Sequence, residues 1–353
     1  MVRPAPVRLA AAKAPLPPGP YGLSRAELDE LLAGEPRYRS AQVWEGLHRR
    51  ADLPEEMTDV PKALRARLAG PLAPALATVG TASSGDGATT KWAFALADGA
   101  RIETVLMAYA RRATVCVSTQ AGCAMGCPFC ATGQGGFTRH LGPGEIVEQV
   151  AVAMRANRPR PVTHVVFMGM GEPLANYEGT WGAVRRLHGD MGISARRLTI
   201  STVGIIPGIK KMAAEPLPVT LAISLHAAND ELRDRLIPIN RRYPLGPLME
   251  ACRAYKASTN RRLSFEWALI AGVNDSRRDA AELAALARPL DAHVNLIPLN
   301  ATDGYDGAAT GRQAARQFGA WLAGDGVVAT VRVTRGADIA AACGQLASGP
   351  VLG

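Results

Sequence analysis

The sequence predicts an α/β chain. Its centre is a partial parallel barrel of six strand–helix repeats, a TIM-like (β/α)6 arrangement, preceded by a small helical unit and a short β extension. Three observations carry this expectation. From about residue 112, short β-rich runs ("ATVCVS", "THVVFMG", "RLTIS", "VTLAIS", "LSFEWALI", "HVNLIPL") alternate with helical segments at 144–157, 177–188, 245–258, 277–289 and 311–323. Such alternation implies a parallel sheet with helices outside it. No Rossmann glycine fingerprint accompanies the repeats, which favours a barrel over a doubly wound sheet. The motifs rich in cysteine and polar residues fall just after the strands, where barrels keep their reactive groups.

The elements follow in order. Residues 1–20 hold six prolines and no apolar run, and predict a disordered tail. Residues 21–75 predict a helical accessory domain whose many basic residues make it a candidate for gripping a polyanion such as RNA. "SRAELDELLAG" opens with Ser24 and Glu27 in a capping-box pattern and closes at Gly34, and "SAQVWEGLHRR" and "PKALRARLAG" share helical spacing. With few apolar residues to spare, this unit is expected to lean on the rest of the protein. Residues 76–111 alternate like strands, with Asp98-Gly99 as a hairpin turn. Residues 112–347 form the core and 348–353 a tail.

The chain has 353 residues, 48% of them hydrophobic, and no window of 18 consecutive apolar residues, so nothing is expected to span a membrane. No apolar signal segment is visible near the N-terminus. Six cysteines in such a chain point to a reducing, cytoplasmic setting in which clustered thiols do metal or redox chemistry. A net charge of +9 fits a polyanionic partner such as RNA. The basic residues come in doublets, from Arg49-Arg50 and Arg111-Arg112 through Arg185-Arg186, Arg196-Arg197 and Lys210-Lys211 to Arg241-Arg242 and Arg261-Arg262. The bland reading of any one doublet is a solvated face.

"GCAMGCPFCATGQGG" places Cys123, Cys127 and Cys130 on one glycine-rich loop. Two centres suit this spacing. Zinc would want a fourth ligand, and Cys116 is the nearest thiol. An iron–sulfur cluster held by three thiolates would leave one iron open. Structural zinc cysteines usually come as two separated pairs, so a triplet favours the cluster.

Cys-x3-Cys-x-Phe-Cys resembles the signature of the radical S-adenosylmethionine (SAM) superfamily, and "MGMGEP" resembles its motif for the SAM amino group. "CVSTQAGCAMGCPFCATGQGG", "FMGMGEPLANY", "ISTVGIIPGI", "AISLHAAND", "HVNLIPLN" and "DIAAACGQLA" together are similar to the RNA adenine methyltransferases of the RlmN and Cfr family, from about residue 36 to 347. The resemblance implies a 4Fe-4S cluster on Cys123, Cys127 and Cys130, with its open iron chelated by SAM. It implies that Gly171 and Glu172 hold the SAM ammonium. Ser201, Ser224, Leu225, His226 and Asn300 match positions that contact the SAM carboxylate, ribose and adenine.

It also implies roles for three residues that would otherwise read as structural. Cys343 accepts a methyl group from one SAM. A second SAM, cleaved at the cluster to a 5′-deoxyadenosyl radical, removes hydrogen from that methyl, and the carbon adds to the adenine ring. Glu103 then takes the ring proton, and Cys116 attacks the Cys343 sulfur, releasing the RNA and leaving a disulfide for cellular reductants. The adenine is expected to be unstacked or flipped out to meet Cys343. Mobility of the Cys343 segment is expected near Gly336 and Gly344. Cys252 reads as a core cysteine, and His48, His140, His164, His188 and His293 receive no role.

The family methylates carbon 2 (housekeeping branch) or carbon 8 (resistance branch) of one 23S rRNA adenine, and the housekeeping enzymes also modify adenine 37 of some tRNAs. Pro173 in "GMGEP" resembles the carbon-2 branch, since the other typically has alanine there. The expected partners are 23S rRNA, tRNA and an electron donor such as flavodoxin, and the expected state is a monomer. Two other classes stay open. One is a radical SAM enzyme acting on a small molecule, and the other is a zinc-binding RNA module with Cys116 as its fourth ligand.

Overall fold

Ser24 caps α1 (Arg25–Leu31), its hydroxyl accepting the Glu27 amide while the Glu27 carboxylate takes the Ser24 amide. α2 (Tyr38–Glu45) runs on as a π-helical turn, Gly46–Arg50, and α3 (Lys62–Leu68) follows. These helices are too short to stand alone, and their buried Leu28, Val43, Leu47 and Leu64 join one hydrophobic core with the rest of the chain. Polar anchors reinforce the joint. Arg155 donates to the Ala51 carbonyl and Arg186 to the carbonyls of Gly22 and Leu23, while Glu148 accepts the amides of Ala75 and Leu76. Arg49 and Arg186, two of the doublet arginines, are thus spent on internal contacts.

The computed structural model describes residues 19–332 and 334–347. Most of the expected N-terminal tail and all of the tail at 348–353 lie outside the described residues. Gly19 and Tyr21, by contrast, pack into the fold, with Tyr21 1% exposed.

β1 (Ala77–Ser83), β2 (Thr89–Ala95) and β3 (Arg101–Ala108) form an antiparallel meander with its second turn at Asp98-Gly99, where Gly99 takes φ +82°. β3 pairs antiparallel with β4 (Ala113–Cys116), so the extension continues the central sheet. After β4 come a hairpin of β5 (Gln120–Gly122) and β6 (Phe137–His140), with α4 (Ala131–Gln134) between its strands, and then α5 (Pro143–Ala156). From there strand and helix alternate: β7 (His164–Phe167), α6 (Tyr177–Gly189), β8 (Leu198–Thr202), α7 (Ile206–Ala213), β9 (Thr220–Ser224), α8 (Asp230–Leu236) and α9 (Leu245–Thr259). β10 (Leu263–Leu269), α10 (Arg277–Ala287), β11 (His293–Pro298), α11 (Arg312–Gly324) and β12 (Ala329–Val331) complete the order.

The ten-stranded sheet runs β1-β2-β3-β4-β7-β8-β9-β10-β11-β12, parallel from β4 onward. Its parallel part is open, as a partial barrel requires, and β4 and β12 do not pair. All six expected strands form. β12 adds a seventh parallel strand that the six-repeat expectation lacks. Cys252 is fully buried on α9, as expected of a core cysteine. No described helix is long and apolar enough to cross a membrane.

Candidate active site

A cavity of about 170 Å³ opens at the C-terminal ends of the parallel strands. The loop after β4 gives its wall Cys127, Phe129 and Cys130, and the loop after β7 gives Gly171, Glu172 and Pro173. Ser201 on β8, Ser224 at the end of β9, His226 just beyond it and Asn300 after β11 complete the opposite side, and Cys343 arrives from the C-terminal segment. The fold thus gathers residues from six separate stretches. Leu225 is an exception. It does not line the cavity, and its amide and carbonyl are committed to Glu266 and to Arg233 and Ala227. It follows the last residue of β9 and is fully buried in the core.

The cysteine loop is tightly constrained. The Cys123 amide donates to the Gly136 carbonyl, and a Cβ on Gly122, at φ +74°, would collide with that carbonyl. Phe129 meets the His226 ring edge-on at 5.1 Å, docking the loop against the β9 turn. Burial pushes the Cys123 thiol up to about 12, with neighbouring Glu172 and Cys130 adding to it, and raises Cys127 likewise. These thiols therefore stay protonated until a metal's positive charge draws the proton off. Among the described residues, no three His, Cys, Asp or Glu side chains converge tightly enough to hold a single metal ion. Cys116 stands apart from this triplet: its thiol neighbour is Cys343, whereas the thiols that act on Cys123 and Cys127 are those of the loop itself. Cys123, Cys127 and Cys130 are close enough to act on one another's thiols, and three such neighbours on one loop are the donor set of a cluster with one open iron.

Glu172 is fixed by backbone. Its Oε2 accepts the Val203 amide and its Oε1 the Leu174 amide, both at 2.9 Å, while its own N–H donates to Gln120 Oε1. Burial lifts its carboxyl to about 7. Gly171 is held at φ +100°, where a Cβ would lie 2.5 Å from the Gln120 Cβ. Ser201 and Ser224 hydroxyls are 3.2 Å apart. His226 accepts the Ala268 amide on Nδ1, which leaves its proton on Nε2, and desolvation aided by Arg233 lowers it to about 3. It is a neutral imidazole at any physiological pH.

The C-terminal strap, residues 336–347, is bound at many points. Asn300 Nδ2 donates to the Cys343 carbonyl, the Ala131 amide to the Gly344 carbonyl and Thr132 Oγ1 to the Leu346 carbonyl. Lys91 Nζ donates to the Ala340 carbonyl, and the Ala347 amide donates to Glu103 Oε2. Gly336 and Gly344 both take positive φ, at +67° and +86°. Cys343 is accessible to solvent, yet surrounding protein desolvates its thiol and raises its pKa, while Arg332 pulls it down. Cys116, at the end of β4, is buried. Its thiol is pushed up by desolvation and then by the nearby Cys343. Both are free thiols, as are the other four cysteines, so the expected disulfide is not formed in this state. Glu103 does not line the cavity, and both its oxygens are occupied, by Lys91 and Ala347.

Residues 117–284 match the model of the radical SAM superfamily. A probable dual-specificity RNA methyltransferase RlmN from Parafrankia is 51% identical over 90% of this chain and 88% of its own length. Another of the same description, from Roseiflexus castenholzii, is 47% identical over 94% and 96%. The chain belongs to the RlmN family of radical SAM RNA methyltransferases. A crystal structure of a radical SAM methyltransferase from Sphaerobacter thermophilus superposes with a TM-score of 0.90 at 49% identity, covering 95% of this chain and all of that one. RlmN membership makes this protein an SAM-dependent RNA methyltransferase. The RlmN family implies a 4Fe-4S cluster, for which the cysteine loop is suited.

Several residues of the site carry no motif of their own. Lys91, Arg332 and Glu266 are of this kind. Glu266 alone left a signal, a single carboxylate inside the apolar run "LSFEWALI".

Proposed function

We propose that the chain methylates carbon 2 of adenine 2503 in 23S rRNA, and of adenine 37 in some tRNAs, using two SAM molecules. On this reading it works in the cytoplasm as a monomer and takes electrons from a flavodoxin-type donor. The observation that carries the reading is the strap, which seats Cys343 on the cavity wall shared with Cys127, Cys130 and Glu172, close to the Cys116 thiol.

Cys123, Cys127 and Cys130 would hold the cluster, which when bound supplies the electron that breaks SAM. Gly171 and Glu172 would bind the SAM ammonium, with Ser201, Ser224, His226 and Asn300 around its remaining polar groups. Cys343, once deprotonated, attacks the sulfonium methyl of the other SAM, and S-adenosylhomocysteine departs. That methyl would give a hydrogen atom to the 5′-deoxyadenosyl fragment of the second SAM, forming 5′-deoxyadenosine, and its carbon would add to the adenine ring, with one electron passed on to a redox acceptor, so that a thioether joins Cys343 to the base. Glu103, held here by Lys91 and the Ala347 amide, would take the ring proton. Cys116 attacks the Cys343 sulfur, the RNA leaves with its methyl group, and a disulfide remains for external reductants. Pro173 supports carbon 2 over carbon 8.

Mass spectrometry of 23S rRNA and tRNA treated with the reconstituted enzyme tests the proposal. A methyl group on carbon 2 is expected. Methylation at carbon 8, or none in RNA, would overturn it.

A further inference from the structure

Glu266 lies on β10 between Ser224 of β9 and Asn295 of β11, and parallel register sets all three at one level of the sheet. Its Oε1 is fixed twice, by Asn295 Nδ2 at 2.8 Å and by Ser264 Oγ at 3.2 Å. Its Oε2 has no hydrogen-bond partner, in a residue only 4% exposed. Glu266 lines the cavity together with Ser201, Ser224 and Arg332. Among the described residues, no other buried side-chain atom lacking a partner belongs to a residue of this wall.

A buried carboxylate oxygen without a donor is strongly disfavoured, and native proteins rarely keep one idle. Here the carboxylate is also held rigid by two donors on its other oxygen, which is how an acceptor is pre-oriented for a ligand. Burial raises the Glu266 carboxyl's pKa, while Arg332 on the same wall favours its charged form. The serine hydroxyls beside it can both donate and accept, so the wall offers a sugar diol complementary groups. Carboxylates take ribose hydroxyls in the same manner in dinucleotide-binding folds.

We propose that Glu266 is the acceptor for a ribose hydroxyl of the nucleoside bound in this cavity. The inference rests on the reading of the cavity as an SAM site. Calorimetric titration of anaerobically prepared, iron-loaded protein with S-adenosylhomocysteine and with its 2′-deoxy and 3′-deoxy counterparts tests it. Loss of the contacted hydroxyl should weaken binding by about 10- to 100-fold, the range for a hydrogen bond to a charged group. Glu266→Gln should weaken S-adenosylhomocysteine to a similar extent and no longer distinguish it from that deoxy analogue. Should Glu266→Gln fail to fold, Asn295→Ala, which unfastens the carboxylate, should show a reduced preference in the same titration. A wild type that binds all three ligands alike overturns the proposal. So does a Glu266→Gln protein that keeps full discrimination, or one that binds normally but no longer methylates Cys343, since the carboxylate would then serve the thiol. A wild type that binds no S-adenosylhomocysteine would instead overturn the SAM reading beneath it.

Discussion

Lys91 Nζ lies 2.9 Å from Glu103 Oε1 across the β2–β3 pair, with both side chains largely shielded from water. The same ammonium holds the Ala340 carbonyl, and the other Glu103 oxygen holds the Ala347 amide. This one ion pair therefore grips the strap on both sides of Cys343. Removing one partner of a shielded pair strands the other's charge, which is far more damaging than losing a surface pair. Lys91→Met is expected to lower hydrogen-exchange protection of the 336–347 peptide by about tenfold or more, the change that loss of 1.4 kcal/mol or more would bring. Protection in β8 and β9 should not change. An unaltered strap would mean that Thr132 and Asn300 hold it unaided.

The two thiols Cys116 and Cys343 should fail in different ways. Without Cys116 the thioether to RNA has no resolving nucleophile, so Cys116→Ala is expected to accumulate a covalent protein–RNA adduct. Cys343→Ala has nothing to attach to the base and should form none. Denaturing gels of reactions with labelled RNA read this directly, and equal adduct from both variants would refute the assigned roles. Glu103→Gln should slow decay of the adduct more than its formation, and an unchanged adduct lifetime would remove Glu103 as the base.

Gly122 stands where the cysteine loop closes on itself. Any Cβ there would run into the Gly136 carbonyl, and the φ of +74° is itself unfavourable for other residues by roughly 1–2 kcal/mol. Gly122→Ala is expected to move the loop and cut bound iron to less than about half, with the far-ultraviolet circular dichroism unchanged. Single serine substitutions at Cys123, Cys127 or Cys130 should abolish deoxyadenosine production while leaving that spectrum intact. Iron analysis and product chromatography check both. Full iron in Gly122→Ala would show that the loop tolerates the shift.

The parallel strands are legible in the sequence because burial on both faces leaves near-continuous apolar runs, as in β10, where every residue is buried. β12 is not legible, because it has three residues, none fully buried. The short helices α7 and α8 also escape, since seven or eight residues barely complete two turns of a pattern. The cavity's wall is legible where a reactive side chain follows a strand end, as with Cys127, Glu172, Ser224 and Asn300. What a linear reading cannot supply is register. Lys91 meets Glu103 only because β2 and β3 pair as they do, and the Cys343 strap reaches both from the far end of the chain. Leu225 is the opposite case. It sits between two cavity residues in sequence, yet it is fully buried and does not line the cavity, because the chain leaves β9 at Ser224 and turns at His226, whose φ is +56°.

His48 provides a test of the helical unit's dependence on the core. Its ring stacks on Trp44 at 4.1 Å, its Nδ1 lies 3.1 Å from the Trp44 carbonyl, and its buried Nε2 has no partner. Desolvation lowers its pKa to about 4 from an unperturbed value near 6.5. Between those two pH values the unfolded chain binds a proton that the folded one refuses, so stability must fall as pH falls. The stabilisation is complete above pH 6.5 and lost progressively toward pH 4. At 1.36 kcal/mol per pKa unit, wild type should lose about 2 kcal/mol more than His48→Phe between pH 7 and pH 5. Glu148, raised by burial to about 7, works in the opposite direction, and His226, lowered to about 3, in the same one. Both are common to the two proteins and cancel in the comparison. Urea denaturation of each protein at the two pH values measures the difference. Parallel losses would show that the imidazole is already solvated, and that the helical unit opens without the core.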